Sequence, residues 1–485
     1  MTGLVGYLGR SLAAELHAWG EANRRTVDVP SRRLRPTEGF TGATLATVVV
    51  TEAGRARQIM LKVCHTGEWE SARHRQALQD CPAGARPHLV DLPWDPWPTR
   101  DGRLLTFQGL AAGGGRLLSQ LDPPDLGRAC AHIADWLLAG WNEGTAGRRA
   151  STVGELLTAE LGRSHGSVRA LSSRLVDAPW IRTAPDREPE PNPLPLAHGS
   201  VAGRPLDVLV GRAHLDLHVR NAVVPVDAAG RVQIEEFQLI DLATYSGAGP
   251  LTADPASLLL SALAPSLADL PSSRWPAVLD AVVQPDVDSP LAVVPATRRT
   301  LVADGWAGPW RRQYLLSVVA AALRSTTFSL YDAALRWWYF QLAARAAAEV
   351  FRELGVRGQP ADAPLVENVF ATVPAPPAVA DTTVRADLEL AHAAGRARGP
   401  DAALALLAEL LDRALLSLGP THQDTLDVRY AYAVWTSRRP GPGQKDEGWR
   451  LMREVYGSLC ATLGPDHPKA RKCRKALDSS FFDGA

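Results

Sequence analysis

The chain is 485 residues long, more than one ordinary core accommodates, so two or three domains are expected. Its 46% hydrophobic and 21% charged residues are an ordinary globular balance, and 52 Lys+Arg against 52 Asp+Glu leave no net charge, which argues against a nucleic-acid partner. The 5 cysteines (Cys64, Cys81, Cys130, Cys460 and Cys473) show no paired short spacing; this argues against a zinc ribbon or a disulfide framework and fits a reducing cytoplasm, and no stretch approaches the roughly 20 apolar residues of a membrane span.

In chain order, Leu4, Leu8, Leu12, Leu16 and Trp19 share one face of an expected N-terminal helix, interrupted by Arg10 and Glu15 and so unlike a signal peptide. Residues 47–50 and 58–63 are rich in apolar and β-branched residues, and residues 52–55 supply the turn of a hairpin. Residues 68–78 have helical composition. Residues 88–92 and 103–108 read as two further strands, with Asp101-Gly102 between them. From 126 to 141 the apolar spacing of Ile133, Trp136, Leu137 and Trp141 predicts a helix, and Thr152-x-x-Glu155 is a capping box that opens another. The Pro- and charge-rich stretch 184–195 reads as a surface loop. Short strands are expected at 208–210, 222–226 and 232–240, followed by helices from 254 to 355. Residues 356–382 are rich in Pro and Ala and read as a semi-extended linker, and 383–485 as wholly helical.

The strongest chemical signal is His214-x-Asp216-x-x-x-x-Asn221, followed after two strand-like runs by Asp241. Phosphoryl transfer needs in-line positioning, metal ions that neutralise charge, and a carboxylate that orients the acceptor hydroxyl. Asp216 would face that hydroxyl, and Asn221 and Asp241 would offer the hard oxygen donors that Mg²⁺ prefers. His214-x-Asp216-x-His218 also reads as a zinc triplet on alternate positions, but no fourth ligand stands out, and Asn221 and Asp241 would then have no role.

These residues resemble the catalytic loop and metal segment of the aminoglycoside phosphotransferase and choline kinase branch of the protein-kinase-like fold. That loop runs His-Gly-Asp-Leu-His-x-x-Asn and is followed by an Asp-bearing strand end. Leu215 stands where the family has Gly, and Leu242-Ala243 follow Asp241. Asp254-Pro255-Ala256 matches a family segment that opens a helix, with Asp254 suited to the N-cap and Pro255 to the first turn. The resemblance covers roughly residues 30–355. It implies an α+β, bilobal protein-kinase-like fold with a small antiparallel-sheet N-lobe (30–110) and a mostly helical C-lobe (111–355). It further implies that Gly39 and Gly42 form a nucleotide loop, that Lys62 contacts phosphates, and that Glu70, or Glu68 instead, pairs with Lys62. Gln108 and Leu110 would lie at the adenine hinge, and ATP and Mg²⁺ would be the cofactors. His214 would belong to the catalytic set, chiefly as a brace of the loop; the role of His218 stays open, and the tryptophans read as core.

Leu418-Gly-Pro-Thr-His-Gln423 and Leu463-Gly-Pro-Asp-His-Pro468 each follow one amphipathic stretch and precede another, which marks a helical repeat over 383–485. They resemble tetratricopeptide repeats of the kinesin-light-chain type, with Gln423 in place of Pro. Such helix pairs bury their faces only by stacking, so this region is expected to bind a protein partner or to self-associate. Residues 1–29 would form an N-terminal helix and a lead-in. Two functional readings follow. One is a cytoplasmic ATP- and Mg²⁺-dependent phosphotransferase acting on a hydroxyl of an unidentified small molecule or protein. The other is a catalytically silent kinase-like scaffold that binds protein partners through the repeats in a bacterial signalling or conflict system.

Overall fold

The computed structural model describes residues 2–30, 37–38, 44–64, 68–100, 103–111, 115–162, 168, 171, 178–185, 187–284, 286–298, 306–328, 331–356, 362–368, 370, 381–418, 423–440, 444–463 and 468–480. The chain is a mixed α+β protein of two compact units. One comprises Met1–Val63, Gly67–Trp97 and Leu105–Thr372; the other comprises Cys64–Thr66, Pro98–Leu104 and Val373–Ala485.

In the large unit, helices α1 (Thr2–Leu8) and α2 (Arg10–Ala22) precede a twisted antiparallel sheet. Its strands are β1 (Arg25–Asp28), β2 (Thr37–Glu38), β3 (Thr44–Glu52), β4 (Arg55–Cys64), β5 (Trp97–Pro98) and β6 (Leu104–Gly109). The order is β1-β3-β4-β6-β5, with β2 also on β3. The expected 52–55 turn is present: Glu52 pairs with Arg55, and Ala53 and Gly54 both take positive φ, at 49° and 76°. The single N-terminal helix expected is broken at Gly9, φ 82°, into α1 and α2, and the part of its apolar face on α2 packs. Leu12, Leu16 and Trp19 join Val48, Val50, Ile59, Leu61 and Phe107 in one core, and Trp19 stacks on Phe107 with ring centroids 4.0 Å apart. α2 therefore packs on this sheet, and β1 after it pairs with β3. Helix α3 (Glu68–Asp80) follows. The strand expected at 88–92 is absent: Leu89 makes only a single parallel bridge to Leu239, and β6 takes Trp97–Pro98 as its hairpin partner. The composition of 88–92 reported burial, not pairing; Leu89 and Val90 are core residues.

The remainder of this unit holds a large helical core with, among the described residues, two three-stranded antiparallel sheets and one two-stranded one. β7 (Arg116–Leu117), helix α4 (Pro123–Ala139), β8 (Gly147–Thr152) and α5 (Val153–Leu161) come first. The predicted capping box forms, with Glu155 N–H donating to Thr152 Oγ1 at 3.2 Å and Thr152 N–H to Glu155 Oε2 at 3.0 Å. The pair β9 (Trp180–Ile181) and β10 (Glu190–Pro191) then leads to β11 (Pro205–Ala213), β12 (Ala222–Val224), β13 (Gln238–Leu239) and β14 (Ser246–Pro250). Sheet orders are β14-β11-β8 and β13-β12-β7. Helices α6 (Ala253–Ala268), α7 (Trp275–Val283), α8 (Val293–Arg298), α9 (Ala307–Thr326) and α10 (Ala333–Glu353) complete it.

Three expectations are corrected here. Of the surface loop expected at 184–195, the stretch 189–194 is buried instead: Arg345 pairs with Glu190 at 3.6 Å and Asn192 donates to Ala178 O. The strand at 232–240 shrinks to β13 behind a single helical turn, Ile234–Glu236. Within the expected linker 356–382, the described residues 364–368 and 370 are anchored: Arg182 N–H donates to Pro364 O, Val366 N–H donates to Arg182 O, and Val366 and Phe370 enter the core. Apolar residues between the prolines give that segment something to bury.

The smaller unit is helical over α11 (Asp381–Arg398), α12 (Pro400–Leu418), α13 (Gln423–Ser437), α14 (Gln444–Leu463) and α15 (Pro468–Ser480), each packed on the next. Trp435 of α13 lies flush on Gly395 of α11, where an added Cβ would come within 2.5 Å of the indole. The turns carrying the two repeat motifs, 419–422 and 464–467, lie outside the described residues. Among the described residues no helix is long and apolar enough to cross a membrane.

Candidate functional site

The loop 213–221 leaves β11 and returns as β12. His214, fully buried, braces it from inside. Its Nδ1 accepts from Asp216 N–H at 3.3 Å, which leaves the Nε2 proton to be donated to Ile240 O at 2.8 Å. Both ring nitrogens are thus committed to backbone. The imidazole thereby ties the start of the loop to Ile240 and Asp216.

Leu215 has φ +63°, the left-handed region that costs a branched side chain about 1–2 kcal/mol. Its position matches the glycine of the resembled loop, which takes such angles without penalty. Here the conformation is enforced by Asp254 on α6, whose Oδ2 accepts His214 N–H at 2.6 Å and whose Oδ1 accepts Leu215 N–H at 2.8 Å. Asp254 is therefore not the N-cap expected of it; Thr252 holds that position. Burial pushes the Asp254 carboxyl up, against His214 and the two N–H bonds that favour its charge.

Asp216 is exposed at the tip of the loop. Asn221 is held from both ends: its side-chain NH₂ donates to Asp216 O at 2.9 Å, its own N–H donates to His218 O, and Ile240 N–H donates to Asn221 O. Asp241 follows at φ 57°, ψ 53°, again left-handed. Its Oδ1 accepts from Lys62 Nζ at 3.0 Å, joining residues 179 positions apart in sequence; the Lys62 side chain is 13% exposed and that of Asp241 42%. Burial opposes ionisation of Asp241, but the Lys62 ammonium, with His214 and His74 nearby, holds its pKa below the usual carboxylate value. His218 Nδ1 accepts from Arg220 N–H at 3.2 Å; burial lowers its pKa against the pull of Asp216.

The predicted residues thus divide. Lys62, Asp216, Asn221 and Asp241 lie on the two sides of one site, while Gly39 and Gly42 lie outside the described residues. Glu68 and Glu70 start α3, but their side chains are likewise outside them, so the expected pairing with Lys62 has no structural account; the described ion pair of Lys62 is with Asp241. Gln108 and Leu110 flank Gly109, whose N–H donates to Asp91 O at 2.9 Å; a Cβ at Gly109 would meet Asp91 Oδ1 at 2.0 Å. Asp91 in turn pairs with Arg57 at 2.6 Å. Sequence reading missed Asp254 as the anchor of the loop, and also Thr244, whose hydroxyl donates to His214 O at 2.7 Å, and His74, which is buried against Val90 O. An Asp and a Thr next to the loop motifs were visible, but their partners are tertiary. Among the described residues no group of three or more His, Cys, Asp and Glu converges as a metal cage. The oxygen donors present are the Asn221 amide and the Asp241 carboxylate, a set that suits Mg²⁺ completed by phosphate oxygens and water.

Compared with known proteins, the chain matches no protein-family model and no curated protein.

Proposed function

We propose that the large unit is a bilobal kinase-like phosphotransferase that uses ATP and Mg²⁺ to phosphorylate a hydroxyl on a small molecule or protein. The observation that carries this reading is the Lys62–Asp241 pair at 3.0 Å, set beside an Asn221 whose amide is fixed to the backbone of Asp216. A lone cation on a strand is common. A strand cation that meets a carboxylate left-handed at the end of a second strand, next to an immobilised amide and an exposed carboxylate, is an arrangement with a use in phosphoryl transfer.

In that role Lys62 binds phosphate oxygens. Asn221 and Asp241 hold Mg²⁺, which supplies charge neutralisation. Asp216 orients the acceptor hydroxyl and takes up its proton. His214, Thr244 and Asp254 keep the loop in register. The helical unit 381–480 is then an accessory that binds a protein partner or a second copy. Leu215 stands where the resembled loop has Gly, but Asp254 accepts its N–H with Leu215 left-handed, so the larger side chain does not by itself argue for a silent scaffold. The test is thermal shift with ATP, with and without Mg²⁺. A ligand at a hundredfold excess over Kd stabilises by about 2.7 kcal/mol. A rise in melting temperature that requires both supports the proposal, and no shift at millimolar ATP removes it.

A further inference from the structure

Behind the loop 213–221 lies a buried carboxylate that phosphoryl transfer does not use. Glu160, near the end of α5, is 6% exposed. Its Oε1 accepts from Ser317 Oγ at 2.7 Å, and Oε2 is buried with no hydrogen-bond partner. Ser317, on α9, is 2.7 Å from Thr252 Oγ1. Thr252 opens α6, two residues before Asp254, the side chain that holds His214 and Leu215 N–H. A line of side-chain hydrogen bonds therefore runs from Glu160 through Ser317 to Thr252, and the first turn of α6 carries on from Thr252 to Asp254.

The line has two directions. With Glu160 ionised, its oxygen accepts from Ser317, whose own oxygen accepts from Thr252. With the proton on Oε1, Glu160 donates to Ser317 and Ser317 donates to Thr252. The charged groups acting on Glu160 are Arg324 from α9, which favours ionisation, and Asp254 from α6, which opposes it. Arg324 does not neutralise the carboxylate directly; it donates to the backbone oxygen of Glu160 at 3.2 Å and to Ser257 Oγ. β8 and the turn Leu194–Ala197, which also pack on α5, add no charge to it. An ionised Glu160 would thus leave one carboxylate oxygen dry and unpaired while repelling the carboxylate that anchors the loop.

We propose that Glu160 is a proton-carrying positioning residue for the loop 213–218, holding the start of α6 through Ser317 and Thr252 when neutral and loosening it when ionised. The link to catalysis rests on the phosphotransferase reading; the proton switch itself does not. Burial, the largest influence, raises the Glu160 pKa from 4.5 to about 7. A raised folded pKa means that the stabilisation is fully present below the unfolded value near 4.5 and is lost as pH rises through about 7.

The experiment is amide hydrogen exchange at His214 and Leu215, corrected for intrinsic rates, from pH 5 to 9 and without nucleotide. It is run on the full chain, on Glu160→Gln, which mimics the neutral form, and on Ser317→Ala. Wild type should lose at least roughly tenfold in protection between pH 5 and 7 and level off above. Glu160→Gln should lose most of that pH dependence, the remainder belonging to Asp254, whose carboxyl burial also pushes up, and Ser317→Ala should lose it to the same extent. The same pH profile in wild type and Glu160→Gln would overturn the proposal, and an unchanged profile in Ser317→Ala would overturn the relay. Should Glu160→Gln fail to fold, infrared titration of the buried carboxyl in wild type decides: a protonated carboxyl that ionises near pH 7 supports the switch, and its absence at pH 6 refutes it.

Discussion

Asp254→Ala gives the sharpest test of how the loop is held. The carboxylate accepts two backbone N–H bonds, a buried one at 2.6 Å and a partly buried one at 2.8 Å, and keeps Leu215 at φ +63°. Hydrogen bonds to a charged group contribute about 1.5–3 kcal/mol each, and an N–H left buried without a partner costs about 1–3 kcal/mol. Against this, removing Asp254 relieves its own burial cost and its repulsion of Glu160. A net loss of about 3 kcal/mol is expected. At roughly 2–4 °C per kcal/mol, the melting temperature of the large unit should drop by about 6–12 °C. Leu215, no longer held, should leave the left-handed region, and exchange at His214 and Leu215 should rise more than at core amides such as Val48. Calorimetric melting and site-resolved exchange measure both. A variant within about 1 kcal/mol of wild type, with these two amides still protected, would show that Asp254 is not what fixes the loop.

Further outcomes follow from other particular contacts. Asp216→Asn should cut ATP hydrolysis or autophosphorylation at least roughly tenfold with ATP affinity kept, as expected for a proton-accepting group; equal turnover would remove its catalytic role. His74, buried, has a pKa lowered to about 4 from 6.5, so the folded state binds fewer protons than the unfolded between those values. Stability should therefore fall by about 3 kcal/mol as pH drops from 7 to 4, and His74→Gln should flatten that part of the wild-type denaturation profile. The Glu160 and His74 slopes have opposite signs and overlap, so each is read as a difference between wild type and variant. Gly395→Ala, which pushes a Cβ to within 2.5 Å of Trp435, should cost the helical unit about 1–3 kcal/mol in denaturant melts of the full chain. A chain ending near residue 372 should keep the melting temperature of the large unit, whereas one ending near Gly355 should lose stability, because Val366 and Phe370 are core residues.

What was legible in the sequence was local. The 52–55 hairpin, the Thr152–Glu155 box and the helix expected at 126–141 each write their signature within a few residues, and Lys62, Asp216, Asn221 and Asp241 stand in recognisable runs. What was not legible depended on distant partners. Asp254 looked like a cap because Asp before Pro usually is one; its use became clear only when the loop 40 residues earlier came within hydrogen-bonding reach. Residues 190–194 looked exposed because they are polar and Pro-rich, but Arg345 from α10 satisfies Glu190. The strand expected at 88–92 failed for the same reason: burial of Leu89 and Val90 does not say which edge, if any, pairs with them.

The central claim is that Lys62, Asn221 and Asp241 form a Mg²⁺-dependent nucleotide site. Isothermal calorimetry of ATP binding to the full chain, with Mg²⁺ and with chelator, beside Asp241→Ala, addresses it most directly. The account predicts saturable one-to-one binding to wild type that is lost with chelator and lost in Asp241→Ala, whose circular dichroism stays that of wild type. No binding to wild type at millimolar ATP and Mg²⁺, or equal binding to a well-folded Asp241→Ala, would contradict it.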